Sequence, residues 1–223
     1  MTANLFDRKF MKSIGVKPFN VDRYLKARLA QYFLLDSQDF FHRIQILNKS
    51  PRFSPNTFTP KTLVDTIMCV ECALKSIIIS LSRSNEKPEN AYLAARRCGH
   101  IIDRLLTEAS RRSFHRVSFL SKREIQILLQ LKNIGVEGRY AYEIANKMQQ
   151  EDPLLRFLRE GAVTKLLNSE FLSSSLSVTK RLVGIAGKSF DKYWKGSTSF
   201  KLKHLDKIDN RLNIFRDNVS TNR

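Results

Sequence analysis

The chain has 223 residues, of which 42% are hydrophobic, and it carries a formal net charge of +18. This apolar content excludes global disorder, and the length suffices for one buried domain with an appendage or for two small domains. The charge predicts a polyanionic partner, with nucleic acid first and an anionic membrane surface second.

Three features of the sequence bear on where the protein works. No segment reaches about 18 uninterrupted apolar residues, so no membrane span is predicted. The stretch MTANLFDRKFMKSIGVKPF is too charged for the apolar region of a signal peptide. Three cysteines, an odd number, do not indicate a disulfide scaffold, so we expect a reducing, cytoplasmic setting.

Few glycines and prolines, together with long periodic segments, predict an all-α fold. Asn20 or Asp22 is expected to cap a first helix over DRYLKARLAQYFLL, which Asp36-Ser37 interrupts before QDFFHRIQIL. The stretch NKSPRFSPNTFTP is predicted to be a loop, because it holds three prolines among polar residues.

Thr59-Pro60 is expected to open the next helix, which includes TLVDTIMCVECALKSIIISLS, residues 62–82. Its apolar residues fall on one side at 100° per residue. Glu71 projects about 40° from Ile67, inside this apolar arc, and Lys75 lies at the edge of the arc. Since a buried carboxylate needs a partner, the sequence predicts a structural ion pair between Glu71 and Lys75.

The stretch AYLAARRCGHIIDRLLTEASRR is predicted to form one helix with an asparagine cap and an apolar side. Another side carries basic residues and one histidine within about 60° on the helical wheel, or slightly further round. The residues of this basic stripe are Arg96, Arg97, His100, Arg104 and Arg111. Such a stripe suits contact with a phosphate backbone.

The last parts of the chain give weaker patterns. Ser121 and Glu124 predict a capping box at the start of SKREIQILLQLKNIG, with Gly135 as a stop. SEFLSSSLSVTKRLVGIAG is compatible with one or two strands or a flexible link. We expect a helical domain over 1–150 and a basic, partly helical C-terminal extension over 151–223.

Four of these features together resemble the HEPN superfamily (higher eukaryotes and prokaryotes nucleotide-binding). They are the aromatic helix YLKARLAQYFLLDSQDFF, ECALKSIII (similar to the family's E-x-x-L-K-A-hydrophobic helix), the histidine-bearing KPENAYLAARRCGHIIDRLL, and GRYAYE. In GRYAYE, Arg139 and Tyr140 match an Arg-Tyr pair common near the end of such domains. The resemblance covers about residues 20–150 and implies an antiparallel helical bundle, HEPN-like, that forms a homodimer.

The resemblance also implies an RNA-binding function in a toxin or antiphage-defence system, with an antitoxin or other protein partner. Many HEPN proteins are metal-independent ribonucleases that carry Arg, four to six residues, and then His. This strict motif is absent here, and the nearest variants are Arg96-x3-His100 and Arg111-x3-His115. The catalytic candidates are therefore His100, to move a proton, and Arg96, to steady the phosphate, at a spacing that shares a helix face.

Whether the chain is an enzyme stays open at this point, and no cofactor is expected. The missing motif favours a non-catalytic interaction or dimerisation module as the alternative, and the charge alone allows DNA or anionic-surface binding. If nucleic acid binds, the expected contact residues besides His100 and Arg96 are Arg97, Arg104, Arg111, Arg139 and Tyr140.

Two further motifs resemble known sites. Cys69, Cys72, Cys98 and His100 are zinc-ligand types, but they fall inside predicted helices without the glycines of a zinc knuckle, so no metal is predicted. GIAGKS, residues 184–189, has two residues between its glycines where a phosphate-binding loop needs four. Neither motif is expected to bind a ligand.

Overall fold

The computed structural model describes residues 20–49, 55–113, 120–132, 169–194 and 205–221. Every regular element in these ranges is an α-helix, which confirms the predicted all-α class. The helices are α1 (Val21–Lys49), α2 (Pro55–Ser80), α3 (Pro88–Arg97), α4 (Ile102–Arg112), α5 (Lys122–Lys132), α6 (Ser169–Trp194) and α7 (Leu205–Ser220).

The helix α2 is the centre of the fold, because α1, α3, α4, α5 and α6 all pack against it. Every side chain from residue 69 to residue 80 is buried, so this part of α2 has no solvent-facing side. Fully buried residues such as Leu74, Ile78 and Ile79 each contribute about 1.5–3 kcal/mol through the hydrophobic effect. An acid in this segment is therefore buried whichever way it points.

The first helix is longer and more regular than predicted. Asn20, one of the two predicted caps, caps this helix, since its Oδ1 accepts a hydrogen bond from the Arg23 amide at 2.8 Å. The predicted interruption at Asp36-Ser37 is wrong, because α1 continues through both residues. The Ser37 hydroxyl donates to the Leu34 carbonyl at 2.7 Å, so its polar group is satisfied within the helix.

Two helices begin at a proline rather than at the predicted residues. The helix α2 starts at Pro55 instead of Thr59-Pro60, so the predicted loop is wrong for residues 55–60. The helix α3 starts at Pro88, with Lys87 rather than an asparagine in the cap position. The physical reason is shared: a proline in the first turn gives up an N–H that has no intrahelical partner there.

The segment predicted as strands or a flexible link is one helix, α6. Its sequence is rich in Ser and Val, but its apolar residues recur at helical spacing and enter the main hydrophobic core: Phe171, Val178, Leu182 and Ala186. Packing against α2 and α1 outweighs the weak helix propensity of these residue types. Gly184 and Gly187 of the GIAGKS motif lie inside this helix.

The predicted capping box at the start of α5 is confirmed. The Ser121 amide donates to Glu124 Oε2 at 2.7 Å, and the Glu124 amide lies 3.3 Å from Ser121 Oγ. Arg181 of α6 also donates to Glu124 at 2.5 Å, which links the two helices. Gly135 and the predicted boundary between residues 150 and 151 lie outside the described residues.

Candidate functional site

A tight turn between α3 and α4 carries His100. Gly99 has a φ of +60°, in the left-handed region that glycine adopts without steric cost, and its amide donates to the Arg96 carbonyl at 2.9 Å. The helix α3 ends there and α4 begins at Ile102. The prediction of one continuous helix over residues 91–112 is therefore wrong, and Arg96 and His100 do not share a helix face.

Glu71, Lys75 and His100 form one hydrogen-bonded group, the Glu71 cluster. Lys75 Nζ donates to Glu71 Oε1 at 2.5 Å, and His100 Nδ1 lies 2.7 Å from Glu71 Oε2. The side chain of Glu71 is 3% exposed, whereas that of His100 is 61% exposed. A carboxylate in the central helix thus holds Nδ1 of an imidazole that is largely exposed to solvent.

The Glu71 cluster favours one arrangement of hydrogens on the imidazole. Lys75 is the cationic partner of Glu71. A carboxylate paired with an ammonium only accepts hydrogen bonds, so this arrangement places a hydrogen on His100 Nδ1. In the neutral ring Nε2 then keeps its lone pair and has the chemistry of a base.

Sequence reasoning predicted the pairing of Glu71 with Lys75 but missed His100 as a second partner. One signal for it was present: a lysine supplies a donor to one carboxylate oxygen, and the second buried oxygen needs a donor as well. The sequence does not say which residue provides that donor, because His100 reaches Glu71 only once α3 and α4 are packed against α2.

Arg96, the other catalytic candidate, has a different partner. Its guanidinium carbon lies 6.0 Å from the centre of the Tyr92 ring, and its Nη1 lies 3.5 Å from the Tyr92 hydroxyl. This distance suits a cation–π interaction along the outer face of α3. Arg96 and His100 are thus each held separately, Arg96 by Tyr92 and His100 by Glu71.

The remaining arginines of the predicted basic stripe fall into two groups. Arg97 and Arg104 are exposed and have no hydrogen-bond or ion-pair partner within the described residues. Arg111 is also exposed, but its Nε and Nη2 each donate to Glu108 at 2.8 Å. A phosphate can therefore reach Arg97 and Arg104 directly, whereas at Arg111 it competes with a carboxylate.

Arg112, next to Arg111, is buried in an ion-pair network that the sequence did not predict. Its two Nη atoms donate to Glu86 at 2.9 and 2.7 Å, and its Nε donates to Glu108 at 2.6 Å. The hydrogen bond from Arg111 holds the pKa of Glu108 below its ordinary value, against the opposing effect of burial, and Arg112 adds to this. The network fixes the end of α4 to the segment between α2 and α3.

The three cysteines are buried. Burial raises the pKa of the Cys69 thiol, and it raises the pKa of Cys72 to about 12, so both are neutral thiols. Within the described ranges, no three His, Cys, Asp or Glu side chains are grouped so that they could hold a metal ion. Arg139, Tyr140 and His115 lie outside the described residues.

None of the helices in the described parts of the chain is long and apolar enough to cross a membrane. Comparison of the chain with protein-family models, with curated proteins and with solved structures found no match.

Proposed function

We propose that this chain is an RNA-binding protein of the HEPN type, and that it cleaves RNA without a metal ion by means of His100. The observation that carries the proposal is the Glu71 cluster, in which a buried carboxylate holds Nδ1 of an exposed imidazole. Carboxylate–imidazole pairs of this kind orient the general base in many hydrolases. The toxin or antiphage-defence setting and the antitoxin partner stay predictions from the resemblance, and the cytoplasmic location stays a prediction from the cysteine count.

RNA supplies the nucleophile for this reaction. His100 Nε2 takes the proton of a 2′-hydroxyl, the 2′-oxygen bonds to the adjacent phosphorus, and the bond from phosphorus to the 5′-oxygen breaks. The products are a 2′,3′-cyclic phosphate and a 5′-hydroxyl. The leaving 5′-oxygen takes a proton from solvent, and His100 later releases to solvent the proton that it took from the 2′-hydroxyl. Until that release, Glu71 stabilises the positively charged imidazolium.

Arg97 and Arg104 are the proposed phosphate contacts. Both guanidiniums are exposed and have no carboxylate partner among the described residues. The net charge of +18 adds a general attraction for a polyanion. Each neutralised phosphate of a single strand releases counterions, so the affinity should fall with salt with a logarithmic slope of about −0.7 per contact.

Salt-dependent binding of a single-stranded RNA tests this proposal. Arg97→Ala combined with Arg104→Ala should make the salt slope shallower by about 1.4, for two lost contacts. Arg123→Ala combined with Arg216→Ala removes the same charge from two other exposed arginines and should leave the slope unchanged. Equal effects of both pairs would contradict the assigned contacts, and a wild type that does not retain RNA would contradict the function.

A competition experiment distinguishes RNA from the two other partners that the charge allows, DNA and an anionic surface. Duplex DNA and anionic vesicles are added as competitors to the bound RNA.

A second candidate function, a non-catalytic interaction module, is favoured by two neighbouring exposed apolar side chains on α1. Tyr32 and Leu35 are 57% and 46% exposed and lie about one helical turn apart. Ile46 is 54% exposed on the same side of α1, but the exposed Asp39 and Arg43 lie between it and Leu35. Exposed apolar side chains that lie together can mark contacts with another protein or a second copy. Sedimentation of Leu35→Glu tests it: a wild-type dimer that becomes a monomer supports this candidate, and an unchanged mass contradicts it.

A further inference from the structure

The C-terminal helix α7 lies on the surface of α1 and α3. It buries Ile208 and Val219, but neither residue belongs to the main hydrophobic core around α2. Most of its other described side chains are exposed or half-buried. The position of α7 therefore depends on a small number of specific contacts.

One set of contacts is ionic and centres on Arg211. Its Nε donates to Asp22 at 2.6 Å, at the start of α1, and its Nη1 and Nη2 both donate to Glu89, in the first turn of α3, with 2.8 Å for Nη2. The Glu89 side chain is 4% exposed, so this forked pair is shielded from water. Asn218 also donates to Glu89 at 3.3 Å. Arg211 thus fixes α7 to the beginnings of two helices.

The second set of contacts is aromatic and centres on Tyr92. Phe215 of α7 meets the Tyr92 ring edge-on, with ring centres 5.6 Å apart and an interplanar angle of 63°. Phe33 of α1 stacks on the same tyrosine at 6.5 Å and 26°. Tyr92 is therefore held from both α1 and α7, and it is the ring over which the Arg96 guanidinium lies.

We propose that α7 is an intramolecular clamp that positions Arg96 for a phosphate of RNA. Through Phe215, α7 holds the Tyr92 ring, and the ring holds the Arg96 guanidinium. A guanidinium fixed in advance loses less side-chain freedom when it binds, so the clamp raises RNA affinity without contacting RNA. This inference rests on the proposed RNA function and assigns Phe215 and Tyr92 as positioning residues.

RNA affinity measured in a double-mutant cycle tests the clamp. Phe215→Ala should weaken RNA binding about two- to fivefold, the range of one cation–π contact, while Phe215→Tyr keeps the ring and should bind as the wild type does. Arg96→Ala, which also removes the proposed phosphate contact, should weaken binding at least as much, and Phe215→Ala should add nothing further in that background. Ile214→Ala, at an exposed neighbour on α7, is the matched control and should have no effect.

A second readout does not need RNA. In the free protein, the Nε–H proton of Arg96 should show a ring-current shift from Tyr92, and this shift should shrink in Phe215→Ala and persist in Phe215→Tyr. If circular dichroism shows that Phe215→Ala is unfolded, Phe215→Leu replaces it, since leucine keeps most of the apolar volume without the ring.

The two measurements distinguish a wrong assignment of the clamp from a wrong assignment of RNA binding. Additive losses in the cycle, or an Arg96 resonance that Phe215→Ala leaves unchanged, would overturn the clamp while RNA binding stands. A wild type that retains no RNA would overturn the proposed function and the role of the clamp in affinity together, and the Arg96 resonance would still report whether α7 orders that side chain.

Discussion

Glu71 and His100 are 29 residues apart in the sequence, yet Glu71 Oε2 and His100 Nδ1 lie 2.7 Å apart. The contact joins a buried acid on the central helix to an exposed imidazole on the turn that Gly99 makes. The same carboxylate also holds Lys75. The Glu71 cluster therefore has a role in the fold and, under the proposed function, a second role in proton transfer, and the variants below distinguish the two.

The stability role predicts a large effect of removing one charge. Glu71→Gln keeps the shape of the side chain but leaves the buried Lys75 ammonium without its counter-ion, so the free energy of unfolding should fall by about 3 kcal/mol. Glu71→Leu with Lys75→Met removes both charges and should recover most of that loss. Urea unfolding measures both variants. A loss well under 1 kcal/mol in Glu71→Gln would show that water reaches the pair.

Two glycines predict stability changes of opposite sign. At Gly99 an added Cβ meets no atom within 4 Å, so Gly99→Ala costs only the left-handed backbone strain, about 1–2 kcal/mol. At Gly184, inside α6, the space is equally open, and Gly184→Ala should stabilise the protein by about 0.5–1 kcal/mol through helix propensity. Thermal unfolding of the two variants checks the signs, and a gain in stability at Gly99 would refute the turn.

Stability at acidic pH should depend on Glu89. Burial opposes its ionisation, but hydrogen bonds from Arg211, its own backbone and Asn218 lower its pKa from 4.5 to about 2. Because the folded pKa is the lower one, this stabilisation is present above about pH 4.5 and is lost as the pH falls toward 2. We expect a loss of about 2–3 kcal/mol across that window.

Unfolding by urea at several pH values between 5 and 2 measures this loss. Glu89→Gln is the control, since it lacks the titrating group and should show a flatter dependence on pH over the same window. If the wild type and Glu89→Gln had parallel pH profiles, the link between α7 and α3 through Arg211 would contribute nothing to folding.

The parts of the fold that the sequence predicted are those with local causes. The helical period placed Glu71 in the interior, and the spacing of Ser121 and Glu124 identified the capping box at α5. Asn20 was one of two predicted caps of α1, and it is the one that accepts the hydrogen bond. Each of these signals acts within a few residues along the chain.

The parts that were predicted wrongly include helix starts at Pro55 and Pro88, which have a local cause, and others that the local pattern does not decide. The apolar period of residues 91–112 continues through Gly99, so the sequence alone favoured one helix where the structure has two. The Ser- and Val-rich α6 becomes helical because Val178 and Leu182 are buried in the core, which local propensity does not include. The contact between His100 and Glu71 depends on this packing as well.

The most direct test of the account is the single-turnover rate of RNA cleavage by the wild type, by His100→Ala and by the double variant Glu71→Leu with Lys75→Met. We predict that the wild type cleaves RNA and that His100→Ala is at least about 100-fold slower. The double variant should stay folded, and it should retain RNA because the buried Lys75 is not one of the proposed RNA contacts. It should nevertheless cleave slowly, because the imidazole has lost the carboxylate that orients it. Cleavage by His100→Ala at the wild-type rate, or no cleavage by the wild type, would contradict the account.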